Sequence, residues 1–429
     1  MIFLTDVLYT LLSLAVAPIV VYRMIRNGRY RLGWSNRLGF ISRKNPQKPC
    51  IWIHAVSVGE VNATQTLITA IEERFEGYEI VVTSTTDTGY ARAFKLYGKR
   101  HTVCYFPLDF SWAINTALRQ LRPSVCVLME LEVWPNLIRL AHRRKIPVVV
   151  ANGRLSQRSF TGYCRIKPLI KPIFSKLSLV LAQSNEYAER FSKLGVDPTR
   201  ISVVGSLKYD TAEVADKVEG ADELADQLGL KGKRLWVTGG TGPEEEKIIL
   251  DAYRKVLQDE DLADLRLAIV PRKPERFDEV ADLIRQMGLG LVRYSLFKAG
   301  QAIKGDKKAV ILGDTMGDLR KFYSLSTVVF VGRTLVPMGG SDMAEAAALR
   351  KFTIFGPYTF NFNQTVTDLL ESEGAIEVQN GSELVEIVRK CLKNSDFSQA
   401  LAQRGQETII RNQGATERAL DKMSSLLRT

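Results

Sequence analysis

A glutamate that follows a buried apolar run and a tight turn is well placed to take a proton, and HAVSVGE at 54–60 has that form. Ser57, Val58 and Gly59 make the turn, and Glu60 falls in the first turn of the helix that follows. A carboxylate there can act as general base toward an attacking hydroxyl. It can equally do no more than offset the helix dipole, worth under about 1 kcal/mol. MELEVWPN at 129–136 ends another apolar run. Glu130 and Glu132 lie two apart, so on extended chain they point the same way. A carboxylate leaving a buried strand is costly unless paired or used. Glu130 is read as the buried site residue, the alternative being a helix cap. In GSLKYD at 205–210, Lys208 is a single cation at a strand end. It can neutralise a phosphate or a developing negative charge, or be a solvated lysine.

The second half of the chain offers groups for an anion. VPRKPERF at 270–277 ends a strand and begins a helix, with Arg272, Lys273 and Arg276 placed for a phosphodiester. Arginine suits bidentate phosphate contact; a solvated basic face is the alternative. LGDTMGDL at 312–319 reads as strand, glycine-rich turn and helix start, where free N–H groups can hold a base or phosphate. MGGSDMAEAAAL at 338–349 has the same grammar, with Gly339 and Gly340 admitting close backbone approach and Glu345 suited to ribose hydroxyls. Two segments are set aside. GGTGPEEE at 239–246 lacks the Walker lysine, and its three glutamates would repel an anion. Asp259-Glu260-Asp261 matches an acidic metal motif literally but reads as a solvated turn.

These segments need elements to position them. From Lys48 onward, β-rich runs at 50–56, 78–85, 101–107, 124–130, 146–153, 177–184 and 201–206 alternate with helical stretches. After a charged, strandless stretch at 209–233, read as a hinge, the alternation restarts at 234–240, 265–272, 291–295, 308–315, 326–333, 352–357 and 375–379. Continuous Val/Ile runs mean strands buried on both faces. Strand–helix alternation means right-handed βαβ units on a parallel sheet. The expected fold is therefore α/β: two Rossmann-like, doubly wound lobes, 45–208 and 234–429, facing a ligand cleft at the carboxyl ends of their strands.

Composition bounds the rest. The chain has 429 residues, 45% hydrophobic and 25% charged, which excludes a disordered chain and a polytopic membrane protein. Its net charge of +12 favours an anionic partner. Residues 2–22 are apolar apart from Asp6 and a few hydroxyls, and Arg23, Arg26, Arg29, Arg31, Arg37, Arg43 and Lys44 follow. Residues 1–44 are thus expected to anchor the chain to a membrane, with the rest kept cytoplasmic by the positive-inside rule. The basic run also suits anionic headgroups, at about 1 kcal/mol per residue near the surface. The scattered cysteines, Cys50, Cys104, Cys126, Cys164 and Cys391, read as buried apolar residues. His54, His101 and His142 form no metal-ligand spacing, so no metal is expected. His54 and His142 read as structural.

In combination, HAVSVGE, ELEVWPN, ANGRLSQRS (151–159), GSLKYD, PRKPERF, GDTMGDL and FGPYTFNF (355–362) occur in the order seen in 3-deoxy-D-manno-octulosonic acid (Kdo) transferases. The chain resembles that family over nearly its whole length. The resemblance implies a GT-B fold and an inverting, metal-independent glycosyltransferase without cofactor, on the cytoplasmic face of a bacterial inner membrane. It implies transfer of Kdo from CMP-Kdo to a lipid A precursor. Glu60 then corresponds to the catalytic base, and Glu130 and Lys208 to the groups assisting the transition state. Ser57, Gly59 and Arg154 fall on the acceptor side. Pro271 and Arg272, the turn Gly313, Asp314, Thr315, Met316 and Gly317, and the turn Gly339, Gly340, Ser341, Asp342, Met343, Ala344 and Glu345 fall on the CMP-Kdo side. The family usually carries GGHN-x-x-E-P where this chain reads GGSDMAEA at 339–346, so the glutamate is kept and the His and Asn are not. The loop at 239–242 also differs from the family's common Ser-Thr-His form.

Two other readings compete. One is a GT-B transferase or epimerase for another nucleotide sugar, although a soluble epimerase would lack the anchor. The other is a membrane-tethered nucleic-acid-binding protein, suggested by the charge. Nucleic acid is not expected as a partner, because the basic residues cluster at the anchor without an aromatic platform.

Overall fold

The computed structural model describes residues 2–27, 31–131, 133–300 and 309–427. Glu132 and Arg29 lie outside the described residues, as does the side chain of Arg23. The chain forms two compact units, one of residues 1–211 with 413–429 and one of residues 212–412.

The first unit is built on seven strands: β1 (Cys50–His54), β2 (Glu79–Ser84), β3 (Thr102–Tyr105), β4 (Pro123–Met129), β5 (Val148–Gly153), β6 (Leu179–Ala182) and β7 (Ile201–Val203). Their order is β3-β2-β1-β4-β5-β6-β7, and neighbours are parallel. The alternation along β1 explains why both faces are covered. Cys50 and Trp52 enter one core with Ile114, Leu118, Leu137 and Phe174. Ile51 and Ile53 enter the other with Leu67, Ile71, Val125 and Met423. The order reverses between β1 and β4, and at such a switch point the strand ends leave a crevice for ligands.

The second unit repeats the plan with β8 (Leu235–Thr241), β9 (Arg266–Pro271), β10 (Leu291–Arg293), β11 (Val310–Leu312), β12 (Val328–Val331), β13 (Phe352–Phe355) and β14 (Ile376–Glu377). Their order is β10-β11-β9-β8-β12-β13-β14, so the switch point lies between β8 and β12. Trp236, Leu267, Val310, Phe330 and Ile354 share one buried core. Both units are Rossmann-like parallel α/β folds, as the strand–helix alternation requires.

Two segments sit differently from the sequence reading. Residues 413–429, expected with the second lobe, belong to the first unit. The helix Ala415–Leu427 buries Ala419, Leu420 and Met423 in the core that also holds Leu67 and Ile71. Its start is capped by Asp210, which accepts from the N–H groups of Gly414 (2.7 Å) and Thr416 (2.5 Å). Arg74 adds ion pairs to Glu417 and Asp421. The stretch read as a hinge contains the helix Ala221–Gln227, whose Ala221 and Leu224 are buried. From Ala212 on it belongs to the second unit.

The N-terminal helix Ile2–Asn27 is long and apolar enough to cross a membrane. Leu8, Leu11, Leu12, Leu14 and Ile19 are exposed along it. Of the cysteines, Cys50, Cys104, Cys126 and Cys391 are buried, but Cys164 is exposed, contrary to the sequence reading.

Candidate active-site residues at the carboxyl edge of each sheet

In the first unit, three strand ends bring the expected charges together. After β1 the chain turns through Ala55 and Val56 to Ser57, which caps the helix Val58–Arg74 by accepting from the Glu60 N–H (3.3 Å). The Glu60 carboxylate folds back over the same turn. It accepts from the Val56 N–H (2.8 Å) and the Ser57 hydroxyl (3.0 Å). This is a capping box moved one residue toward the strand. The capping role weighed for Glu60 is thus real, and it also fixes the carboxylate at the sheet edge, half-buried.

Glu130 leaves β4 with φ 53°, the left-handed region that a non-glycine residue enters at a cost of about 1–2 kcal/mol. Its N–H donates to the Ala151 carbonyl (2.9 Å). Its carboxylate meets the Lys208 ammonium at 3.1 Å. Lys208 is held from behind. Asn152, at the end of β5 with φ 55°, accepts from the Leu207 N–H (3.1 Å) through its side-chain oxygen. Ser206 caps the same short helix. Asn152 is a positioning residue that the sequence reading missed, although it lies within the ANGRLS motif.

Burial is the main influence on the Glu60 carboxyl and pushes its pKa above the usual range. The Glu130 charge pushes the same way, while the Val56 N–H, the Ser57 hydroxyl and the Lys208 ammonium pull it down. A carboxylate raised in this way is a better proton acceptor at neutral pH. Arg154 follows β5 half-buried, and its side chain makes no hydrogen bond or ion pair among the described residues. Gly59 and Ser57 lie exposed beside Glu60. His54 is buried, stacked on Phe106 at 3.8 Å, with Nδ1 against Thr83. Burial depresses its pKa to about 3, so it is a neutral structural ring.

In the second unit, Arg272 is exposed just past β9, and its N–H donates to the Thr241 carbonyl (3.1 Å). Pro271 before it is buried as the last residue of the strand. Gly339 and Gly340 have φ 84° and 86°. A Cβ on Gly339 would lie 2.2 Å from the Asn361 amide nitrogen, so only glycine fits. The loop is pinned by a buried acid. Glu245 accepts from the N–H groups of Arg333 (2.5 Å), Thr334 (2.9 Å) and Leu335 (3.0 Å). Ser341 donates its hydroxyl to the Gly240 carbonyl (2.8 Å), and Asp342 accepts from the Ala344 N–H (3.0 Å). Met343 and Ala344 are buried beneath the loop.

Glu345 keeps an exposed surface yet sits in dense protein surroundings. Loss of water around it, then the Asp342 charge, push its pKa up to about 7, with Arg272 and Arg320 opposing. The Tyr323 hydroxyl, influenced by the same charges, is buried with no hydrogen-bond partner among the described residues.

Three sequence expectations change here. Asp314 is not free for a ligand: its carboxylate holds Arg293 Nε (2.6 Å) and the Ser295 N–H (2.7 Å) and hydroxyl (2.6 Å). It shapes the turn instead. In that turn the Thr315 hydroxyl donates to Asp318 (2.7 Å), Gly317 has φ 92°, and Met316 is 68% exposed. Gly313 abuts Val270 and Phe322. Arg276, expected to face a phosphodiester, is buried in ion pairs with Glu246 and Glu279. Glu245 and Glu246, expected to repel an anion, are fully buried and bonded inward. No group of three or more His, Cys, Asp and Glu side chains among the described residues is placed to hold a metal ion.

The comparisons with known proteins agree with one another. Residues 32–211 match the family model described as 3-deoxy-D-manno-octulosonic-acid transferase (kdotransferase). The 3-deoxy-D-manno-octulosonic acid transferase of Haemophilus influenzae is 34% identical over 98% of both chains. That of Bordetella pertussis is 30% identical over 98% of this chain and 99% of its own. Among solved structures, a glycosyltransferase from Rickettsia africae is 14% identical with a TM-score of 0.59, covering 89% of this chain and all (100%) of its own. That likeness extends to the fold alone, which is of the GT-B kind. With full-length relatives at 34% and 30% identity, the chain belongs to the 3-deoxy-D-manno-octulosonic acid transferase family of glycosyltransferases.

Proposed function

We propose that the chain moves Kdo from CMP-Kdo to a hydroxyl of a lipid A precursor, with inversion at the anomeric carbon and Glu60 as base. The observation that carries the reading is the meeting of Glu60, Glu130 and Lys208 at one sheet edge. The acceptor hydroxyl gives its proton to Glu60 as its oxygen bonds the anomeric carbon. The bond from that carbon to the phosphate oxygen breaks, and its electron pair leaves with CMP. One such displacement inverts the centre.

Lys208 is held by Glu130, so it lowers the cost of keeping Glu60 ionised before the proton moves. Arg272, with Pro271 fixing its start, is the cation for the CMP phosphate. Backbone N–H groups of the turns 313–317 and 339–345 are available for the rest of the nucleotide, and Glu345 for its ribose. CMP leaves as a monophosphate whose charge these groups can spread, and the reaction is read as metal-independent on that ground. Arg154 is assigned to a phosphate of the acceptor, beside Ser57 and Gly59.

The acceptor class is supported by the N-terminal helix. Its exposed leucines suit a bilayer, and the arginines that follow suit anionic headgroups. On this reading the enzyme works at the cytoplasmic face of a bacterial inner membrane, the side that the positive-inside rule favours. The test is incubation with CMP-Kdo and a tetraacylated lipid A precursor, with product mass as readout. A mass gain of one or more Kdo residues is expected. No gain with the lipid acceptor, alongside transfer to another hydroxyl compound, would overturn the acceptor.

A further inference from the structure

The N-terminal helix is fastened to the first unit near its own beginning. Asp6 accepts from the Ser111 N–H (2.9 Å), the Ser111 hydroxyl and the Asn136 side-chain amide (2.9 Å). The helix Ser111–Leu121 has no cap from its own Phe110, so Asp6 does that work from a distance in sequence. Tyr9 donates to Asp109 (3.0 Å), and Asp109 in turn caps the helix Pro135–Arg143 by accepting from the Asn136 and Leu137 N–H groups (both 2.9 Å). Arg139 donates to the Thr5 hydroxyl (2.7 Å). These two helices begin at the carboxyl ends of β3 and β4, so the start of the apolar helix sits at the edge that carries Glu130.

Beyond the helix the chain also returns to that edge. Arg31 donates to the Met24 (2.7 Å) and Ile25 (3.0 Å) carbonyls, closing the helix. Arg37 donates to the Thr85 carbonyl just beyond β2 (3.1 Å), and Gly33 packs on the Tyr105 ring at the end of β3.

A helix cannot cross a bilayer while its first turns and the chain a few residues beyond it are both held to the same unit. The free run from Tyr9 to Ile25 is also short, about 24 Å at 1.5 Å per residue, against a hydrocarbon core of roughly 30 Å. Around the junction the unit shows Leu32, Trp34, Leu108 and Trp112 to solvent. Apolar and aromatic side chains of this kind favour the membrane interface. We infer that the helix enters one leaflet and lies in it without crossing. Its first residues stay on the side of the catalytic units, and the edge bearing Glu60, Glu130 and Lys208 is held at the lipid surface.

The inference rests on the membrane reading above, and the experiment separates the two. In the full chain with the exposed thiol removed by Cys164→Ser, one variant carries Phe3→Cys, a position 80% exposed. Another carries Ser425→Cys on the last helix as a marker for the side of the catalytic units. Both are treated with a membrane-impermeant maleimide in spheroplasts and in inverted inner-membrane vesicles. Labelling of both positions from the same face is expected. Labelling of Phe3→Cys from the opposite face, or from neither, would overturn the inference while leaving membrane binding intact. Recovery of the protein in the soluble fraction would overturn the membrane reading and this one with it.

Discussion

The Lys208 ammonium lies 3.1 Å from the Glu130 carboxylate, and the pair flanks Glu60 closely enough for both charges to act on its titration. The two act in opposite directions. That opposition gives the proposed base a pH signature that can be changed from either side.

In the proposed mechanism transfer needs ionised Glu60, so the rate is expected to fall as pH drops through its raised pKa. Lys208→Met removes the cation that favours the ionised form and moves the acid limb of the rate profile to higher pH. Glu130→Gln removes a like charge and moves that limb to lower pH. The pH dependence of kcat/KM for the two variants checks this. Limbs that move the same way would show that the pair acts elsewhere.

Asn152→Ala removes the acceptor for the Leu207 N–H without touching Lys208. Leaving the buried Leu207 N–H without its acceptor costs about 1–3 kcal/mol, so a clear drop in melting temperature is expected. A shift of the acid limb in the direction of Lys208→Met, with KM for CMP-Kdo unchanged, marks the positioning role. A fall in stability with an unmoved profile would make Asn152 structural only.

Gly339→Ala places a methyl group against Asn361 at φ 84°. The turn must open, and CMP affinity measured by calorimetry is expected to fall at least about tenfold, or about 1.4 kcal/mol. Unchanged affinity would remove the 339–345 turn from the nucleotide site.

Glu345 is held with its carboxyl pKa near about 7, above the value it has in an unfolded chain. The folded state therefore favours the protonated form, and this contribution is present at low pH and lost as pH rises through about 7. Glu345→Gln keeps the neutral form throughout. Its melting temperature relative to the parent protein is expected to rise between pH 5 and pH 8. A difference that is flat with pH would contradict the assignment.

The fold was largely legible because buried parallel strands leave continuous Val/Ile runs such as VVVANG, which forms β5. The chain's return at Gln413 was not. An amphipathic helix shows that it has a buried face but not what covers it, and the Asp210 cap on Gly414 and Thr416 spans some 204 residues. At the site, Glu60, Glu130 and Lys208 stood out because each is a charge at the end of an apolar run. Arg272 and Arg276 looked alike in sequence, yet Arg276 is paired with Glu246 and Arg272 is exposed. Glu245 misled for the same reason: an acid beside glycines reads as solvated until the N–H groups of 333–335 close around it. Asp6 registered only as an exception in an apolar run, because its partners Ser111 and Asn136 lie more than a hundred residues on.

In the proposed mechanism the Glu60 carboxylate removes the acceptor proton. Glu60→Gln keeps the size of the side chain and leaves Ser57 to cap the helix, so the loss of stability should stay near or below about 1 kcal/mol. The most direct measurement is single-turnover transfer by this variant at saturating CMP-Kdo, with donor affinity measured in parallel. A rate lower by at least about a hundredfold is expected, in the range for loss of a general base, with donor affinity unchanged. Transfer at a rate close to that of the parent protein would contradict the mechanism.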